Sequence, residues 1–280
     1  MTSPTQARAT ESGRYYEDPN PAFDGAMYPS VTNVLDTSVA KPVLVPWTAK
    51  VTAEYALDHL SELVTVAATN PAAVLKTLKA QHKLKRDDAL ELGTRVHSAA
   101  ERYNLGLPIE DSDPRVALFT FQYLAWLAEW GVSIEDDIEA AEMSVVHRGI
   151  GYAGTLDLIV WLRSGVDRAR ELWMIDFKTS STQPATSIYR EHILQLAALR
   201  HGKVAWLPSG IEVAVPKVDR CAVLNLRVDD YALIEVPADG AAFAAFQGAL
   251  ATTKFLHGLN LKATTSVVRS PKCAAVKEAA

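Results

Sequence analysis

Leu172-Trp173-Met174-Ile175-Asp176-Phe177-Lys178-Thr179 is an apolar run that ends on an acid and a base two positions apart. The run over Leu172–Lys178 predicts a buried strand. In a strand, positions i and i+2 face the same side. Asp176 and Lys178 therefore project together, and Phe177 points the other way into a core. An acid beside a lysine can bind a metal ion and hold an activated water. The pair equally fits a surface salt bridge at a strand end. Upstream, Asp157 sits in Thr155-Leu156-Asp157-Leu158-Ile159-Val160, inside a second buried strand over Gly154–Leu162. A buried acid needs a partner. A divalent cation shared with Asp176 meets that need, and so does a lysine or a backbone amide.

Outward from these strands the pattern is mixed. Ile138–Val146 alternates with β-branched residues and predicts a strand. Ser187–His201 has helical apolar spacing. Strands follow near Ala222–Leu226 and Leu233–Val236, then a helix over Ala238–Leu256. The first half is helical: a short helix opening at Ser30 as N-cap, a long one over Leu44–Ala68, one starting after Asn70-Pro71, one over Asp87–Asn104, and one over Pro114–Trp130. Residues 1–13 read as disordered, and Arg14–Met27 as a β-hairpin or extended arm. This order predicts an α/β core with a mixed central sheet behind a helical block.

Three further features carry chemistry. Gly93 and His97 share a helix face, and the glycine lets that helix approach another segment closely. His192 and Gln195 share a face of the helix after the Asp-x-Lys strand. Lys76, Lys79, Lys83, Lys85 and Arg86 form a basic cluster just before His97. That cluster either steers a nucleic-acid strand or is a solvated helix face. Glu142 belongs to an acidic run from Glu135, and its reading as part of a solvated face stands beside any role in a site.

The bulk numbers narrow the classes. The 280 residues are 49% hydrophobic and 22% charged, so a sizeable core is expected. Net charge is −5, which argues against a protein coated in nucleic acid but not against local phosphate contacts. Two cysteines, Cys221 and Cys273, cannot supply a four-thiolate iron–sulfur cluster or zinc site. No apolar run is long enough to span a membrane and no signal-peptide core is present. The expected location is therefore the cytoplasm, and no membrane partner is expected.

The order Gly93-x-x-x-His97, Gly154-x-x-Asp157, Asp176-x-Lys178 and helical Gln195 resembles the RecB-like branch of the PD-(D/E)xK nuclease superfamily. Pro29-Ser-Val-Thr-Asn-Val-Leu35 followed by Trp47 resembles the opening of phage-encoded exonucleases of that branch. The motifs span 93–199. Leu199 stands where the branch usually has a tyrosine, which puts that tyrosine's DNA contact in doubt. The resemblance implies a restriction-endonuclease-like core over 132–260 and a helical region over 30–131 bearing the histidine motif. These would be flanked by an N-terminal arm or hairpin over 1–29 and a flexible basic tail over 261–280, as one composite domain. It implies a DNA nuclease dependent on Mg2+ or Mn2+, an exonuclease of phage replication, recombination or repair acting in the host cytoplasm; many relatives carry an iron–sulfur cluster, which the two cysteines here cannot hold. His97, Asp157, Asp176 and the Phe177 carbonyl would ligate metal, and Lys178 and Gln195 would act on water and substrate. Glu142 and His192 would support them from behind. The implied partners are single-stranded or frayed DNA and a helicase or recombinase. The alternatives are a catalytically idle DNA-binding accessory with the same fold and a hydrolase of small phosphate esters.

Overall fold

Strands that are apolar on both sides must be covered on both faces, and the two strands read above are buried at nearly every position. The computed structural model describes residues 4–164, 166–207 and 209–259. Strands β1 (Ala7–Thr10), β2 (Gly13–Glu17) and β3 (Met27–Pro29) form a small antiparallel sheet. Helices α1 (Val31–Ser38), α2 (Leu44–Asp58), α3 (Leu60–Ala67), α4 (Pro71–Asn104), α5 (Pro114–Trp130) and α6 (Ile134–Asp137) come next. Then follow β4 (Ile138–His147), β5 (Tyr152–Leu162), β6 (Glu171–Thr179), α7 (Arg190–Arg200), β7 (Val204–Trp206), β8 (Glu212–Ala214), β9 (Arg220–Leu226), β10 (Tyr231–Glu235) and α8 (Gly240–Gly258).

The large sheet has seven strands in the order β10-β9-β6-β5-β4-β7-β8. β6 and β9 run parallel and the other pairs antiparallel, so the sheet is mixed. Helices α1, α7 and α8 cover one face through Val34, Leu196, Phe246 and Leu250. Helices α4 and α5 cover the other through Val96, Phe119, Tyr123 and Trp126. The mixed α/β core and its flanking helices are as the sequence predicts.

Several local expectations are corrected. The stretch 44–68 is two helices, broken at His59, whose φ of −118° and ψ of 23° leave helical space. The His59 ring stacks on Tyr55 at 4.0 Å and its Nδ1 lies 3.0 Å from the Tyr55 carbonyl. Conversely, α4 is continuous for 34 residues. Its charged middle, Lys83 to Asp88, is solvent-exposed, and Ala, Leu, Lys and Arg sustain a helix with no break. The segment read as disordered contains β1, which pairs Ala7–Thr10 with Gly13–Tyr16. That small sheet docks on the large one through buried Tyr16, Tyr28 and Trp206. An ion pair from Arg148 to fully buried Asp18, at 2.7 Å, locks it there. Strands β7 and β8, three residues each, are too short to leave a period in the sequence. The expected basic tail and Cys273 lie outside the described residues.

Candidate active site

The two chemistry-bearing strands part company where their acids stand. The β5–β6 ladder ends at Leu158–Ile175. Asp157, one residue beyond, accepts a hydrogen bond at Oδ2 from the Phe177 amide, 2.6 Å away. Its side chain thus takes over a bond that the neighbouring backbone would have made. On the other side, Ala141–Leu158 and Met143–Leu156 are paired, but Glu142 and Asp157 between them are left out of the ladder. Glu142 adopts φ +50°. Side-chain alternation breaks at the same point. Leu158, Val160 and Leu162 face the α4–α5 side, whereas Leu156 and Tyr152 face the α1–α7–α8 side. An irregularity of this kind re-aims side chains next to a functional site.

The parted strands open a cavity of about 450 Å³. His97, Glu142, Asp157, Asp176, Lys178 and Gln195 all line it, together with Gly93, Gly154 and Arg14. His97 arrives from α4. Its Nδ1 lies 3.3 Å from Asp157 Oδ1 and 4.0 Å from Glu142 Oε1. One ligand atom from each of these three residues falls within 4.8 Å of the others, a spacing that fits one metal ion. Asp176 stands beside them. Its Oδ2 is 2.5 Å from Lys178 Nζ, and its Oδ1 accepts a hydrogen bond from Gln195 Nε2 at 2.7 Å. Lys178 in turn donates to Gln195 Oε1 at 3.2 Å. Gln195, on α7, thus fixes both members of the Asp-x-Lys pair. Phe177 points the opposite way, edge-on to His97 with ring centroids 5.7 Å apart.

Electrostatics in this cavity are unbalanced. Burial, and then the charge of Asp157, push the Glu142 carboxyl up to about 8. Burial also lifts Asp176, against Lys178, to about 6. Burial works against the Asp157 carboxylate too, but His97, Lys178 and the Phe177 amide outweigh it and hold that acid below its usual range. For His97 and Lys178, burial disfavours the charged form, yet the surrounding acids win and raise both. The cavity therefore crowds three carboxyl groups together, and burial with repulsion from Asp157 holds back the ionisation of Glu142 and Asp176. Glu142 Oε2 is buried with no hydrogen-bond partner among the described residues, whereas His97 Nδ1 is buried with the Asp157 carboxylate beside it.

The two motif glycines have steric causes. A Cβ on Gly93 would stand 3.0 Å from Thr179 Oγ1, at the end of β6, so the glycine lets α4 close on the site. A Cβ on Gly154 would meet Leu199 Cδ2 at 2.9 Å and Val31 Cγ2 at 3.0 Å. Leu199, a departure from the tyrosine of the resembled branch, is thus a packing residue against β5.

Not every candidate converges. His192 is absent from the cavity wall and packs edge-on against Tyr189 at 5.4 Å. Of the basic cluster, Arg86 lines the cavity and Lys85 lines an adjoining one with Trp47 and Tyr189. Lys76, Lys79 and Lys83 lie further back on α4, exposed and away from both. Glu142 stands nearer the centre than its place in an acidic run suggested. Its signal was positional, since in an antiparallel pairing it falls opposite Asp157. Arg14 was not a candidate at all; it lies in a segment read as a mere arm.

No protein-family model matches the chain, and no curated protein matches it. Among solved structures, one described as the crystal structure of SSO0001 is similar over 58% of this chain and 70% of that one, at 17% identity and a TM-score of 0.30. A likeness that loose carries no argument about fold or activity.

Proposed function

We propose that the chain is a metal-dependent DNA nuclease with a PD-(D/E)xK-type core, hydrolysing phosphodiester bonds at the cavity between α4, β5, β6 and α7. One observation carries the reading. His97, Glu142, Asp157, Asp176 and Lys178, drawn from α4, β4, β5 and β6, line a single cavity in which three carboxyl groups crowd together beside one imidazole and one lysine. A divalent cation fits that donor set. Glu142 Oε2 is buried without a hydrogen-bond partner among the described residues, one ligand atom each of His97, Glu142 and Asp157 lies within 4.8 Å of the others, and a donor set dominated by carboxylate oxygens suits Mg2+ or Mn2+. His97, Glu142 and Asp157 would hold it, with Asp176 and the Phe177 carbonyl beside them. When bound, such an ion lowers the pKa of a water and polarises a phosphodiester.

The chain's own groups define the rest. Lys178 has a raised pKa, so at neutral pH it is a cation and a proton donor rather than a free base. Held by Asp176 and Gln195, its ammonium can orient the attacking water and offset the negative charge that grows on the phosphate oxygens. Asp157 fixes the Phe177 amide and so the direction of Asp176 and Lys178. A water oxygen bonds to phosphorus as the bond from phosphorus to ester oxygen breaks; the water's proton is released to solvent, and the departing oxygen takes one up. The expected substrate is a single strand or frayed end, because a long helix stands over the sheet at the cavity. Among the described residues no helix is long and apolar enough to cross a membrane.

The test is digestion of end-labelled single- and double-stranded DNA, linear and circular. Mg2+ or Mn2+ should support cutting, Ca2+ should support binding alone, and excess chelator should stop cleavage. Binding without cutting under every metal would instead indicate an idle accessory protein. Hydrolysis of a small phosphate ester with DNA left intact would indicate a different hydrolase.

A further inference from the structure

Arg14 forms no ion pair among the described residues. Its Nη2 is buried and makes no hydrogen bond among the described residues, although the side chain lines the same cavity as the acids. Its guanidinium carbon sits 5.2 Å from the centroid of the Tyr16 ring. That contact holds the group in place but leaves its donors unused. Arg14 is half-buried, and leaving its buried Nη2 unsatisfied costs free energy that a ligand of opposite charge in the cavity would offset.

The scaffold around Arg14 is fixed. The Ser30 amide donates to the Arg14 carbonyl at 3.0 Å, so β2 is tied to the residue that caps α1. Asn33 of α1 donates from Nδ2 to the Ser12 carbonyl at 2.8 Å and pins the β1–β2 turn. Tyr16 shares a hydrogen bond of 2.8 Å with Thr155 on β5. The first turn of α1, through Ser30, Val31 and Thr32, lines the same wall, and the N-terminal end of that helix adds positive partial charge. The anion wanted there is not one of the protein's own acids. Glu142 and Asp157 lie in the same cavity, yet neither forms an ion pair with Arg14.

We infer that Arg14 binds a phosphate of the substrate strand beside the cleavage position, so that the N-terminal sheet is part of the substrate site. The inference rests on the nuclease reading above, because it needs a phosphate-bearing ligand in that cavity. A guanidinium offers paired donors that match phosphate oxygens. The phosphate is either an internal diester or a terminal monoester.

The experiment measures equilibrium binding of fluorescent single-stranded DNA to the full chain in Ca2+, for wild type, Arg14→Gln, Arg14→Lys and Arg8→Gln. Arg8 is the control: it lies on the same small sheet, exposed and ion-paired with Glu17. Arg14→Gln should weaken binding roughly ten- to hundred-fold and reduce the salt slope by about 0.7, the value for one phosphate contact on a single strand. Arg14→Lys should fall between, and Arg8→Gln should match wild type. The melting temperature of Arg14→Gln should stay level or rise, which a purely structural arginine would not allow. Loss on circles and linear strands alike assigns an internal diester. Loss only with phosphorylated ends assigns a terminal one. If wild type binds DNA and Arg14→Gln binds it equally, the inference falls and the nuclease reading stands. If wild type binds no DNA, both fall.

Discussion

Glu142 combines two destabilising features at one residue. Its φ of +50° is costly for a side chain with a Cβ, and its carboxyl crowds Asp157. Both make sense if a cation repays them. Glu142→Gln should therefore raise the melting temperature of the chelated protein, yet weaken Mn2+ binding by ~10- to 100-fold, a loss that metal titration would detect. Equal Mn2+ affinity would remove Glu142 from the ligand set. His192 provides a pH test away from the metal cluster. Burial first, then the charges of Lys178, Lys41 and Arg227, push its pKa down to about 3. Above the ordinary value of 6.5 the folded and unfolded states are both neutral there, and the residue adds no pH dependence. Below it the unfolded chain takes up a proton that the folded chain refuses until about pH 3, so stability falls through that window. Wild type should lose about 1–2 kcal/mol more than His192→Leu between pH 7 and pH 5, measured by urea unfolding. At this scale strand parity pointed to Asp176 and Lys178, and an acid inside an apolar strand pointed to Asp157, whereas His97 and Gln195 stood out only through the motif order that resembles a nuclease family. Glu142 was obscured because it ends an acidic run. Arg14 carries no local signal, since its meaning depends on which distant residues fail to meet it.

Elements set how close those side chains come. Helix α4 carries Arg86, Gly93 and His97 along one face, and Gly93 lets that face approach β6. Gly154 does the same for α1 and α7 against β5. Gly154→Ala should cost about 1–3 kcal/mol through overpacking. Leu199→Ala in the same chain should recover part of that loss, because the nearest obstruction is the Leu199 methyl. Strict additivity of the two changes in a denaturation series would show that the contact is not the cause. Long, strongly patterned elements such as β5, β6 and α5 were readable from sequence. Breaks were harder to place. The kink at His59 comes from one residue's backbone and a ring stacked on the preceding turn. The continuity of α4 depends on a charged stretch that looks like a boundary but is simply solvated. The strand irregularity at Glu142 and Asp157 is a property of two strands meeting, which neither segment contains alone.

At the level of the molecule, the site is a seam. The sheet supplies the acids and the lysine, α4 supplies the histidine, α7 supplies the glutamine, and the small N-terminal sheet supplies Arg14. Of the basic cluster, Arg86 lines the site cavity and Lys85 the adjoining one. Neutralising those two should therefore weaken single-strand binding and flatten its salt dependence, while neutralising Lys76, Lys79 and Lys83 should do little. The reverse result would place the DNA path along the outer end of α4. The central claim is that this seam cuts DNA through Asp176 and Lys178. Its most direct test is the cleavage rate of an end-labelled single strand at saturating Mn2+, for wild type and for Lys178→Ala shown by circular dichroism to be folded. The account predicts a rate at least ~100-fold lower for Lys178→Ala with DNA binding largely kept; cleavage at the wild-type rate would contradict it.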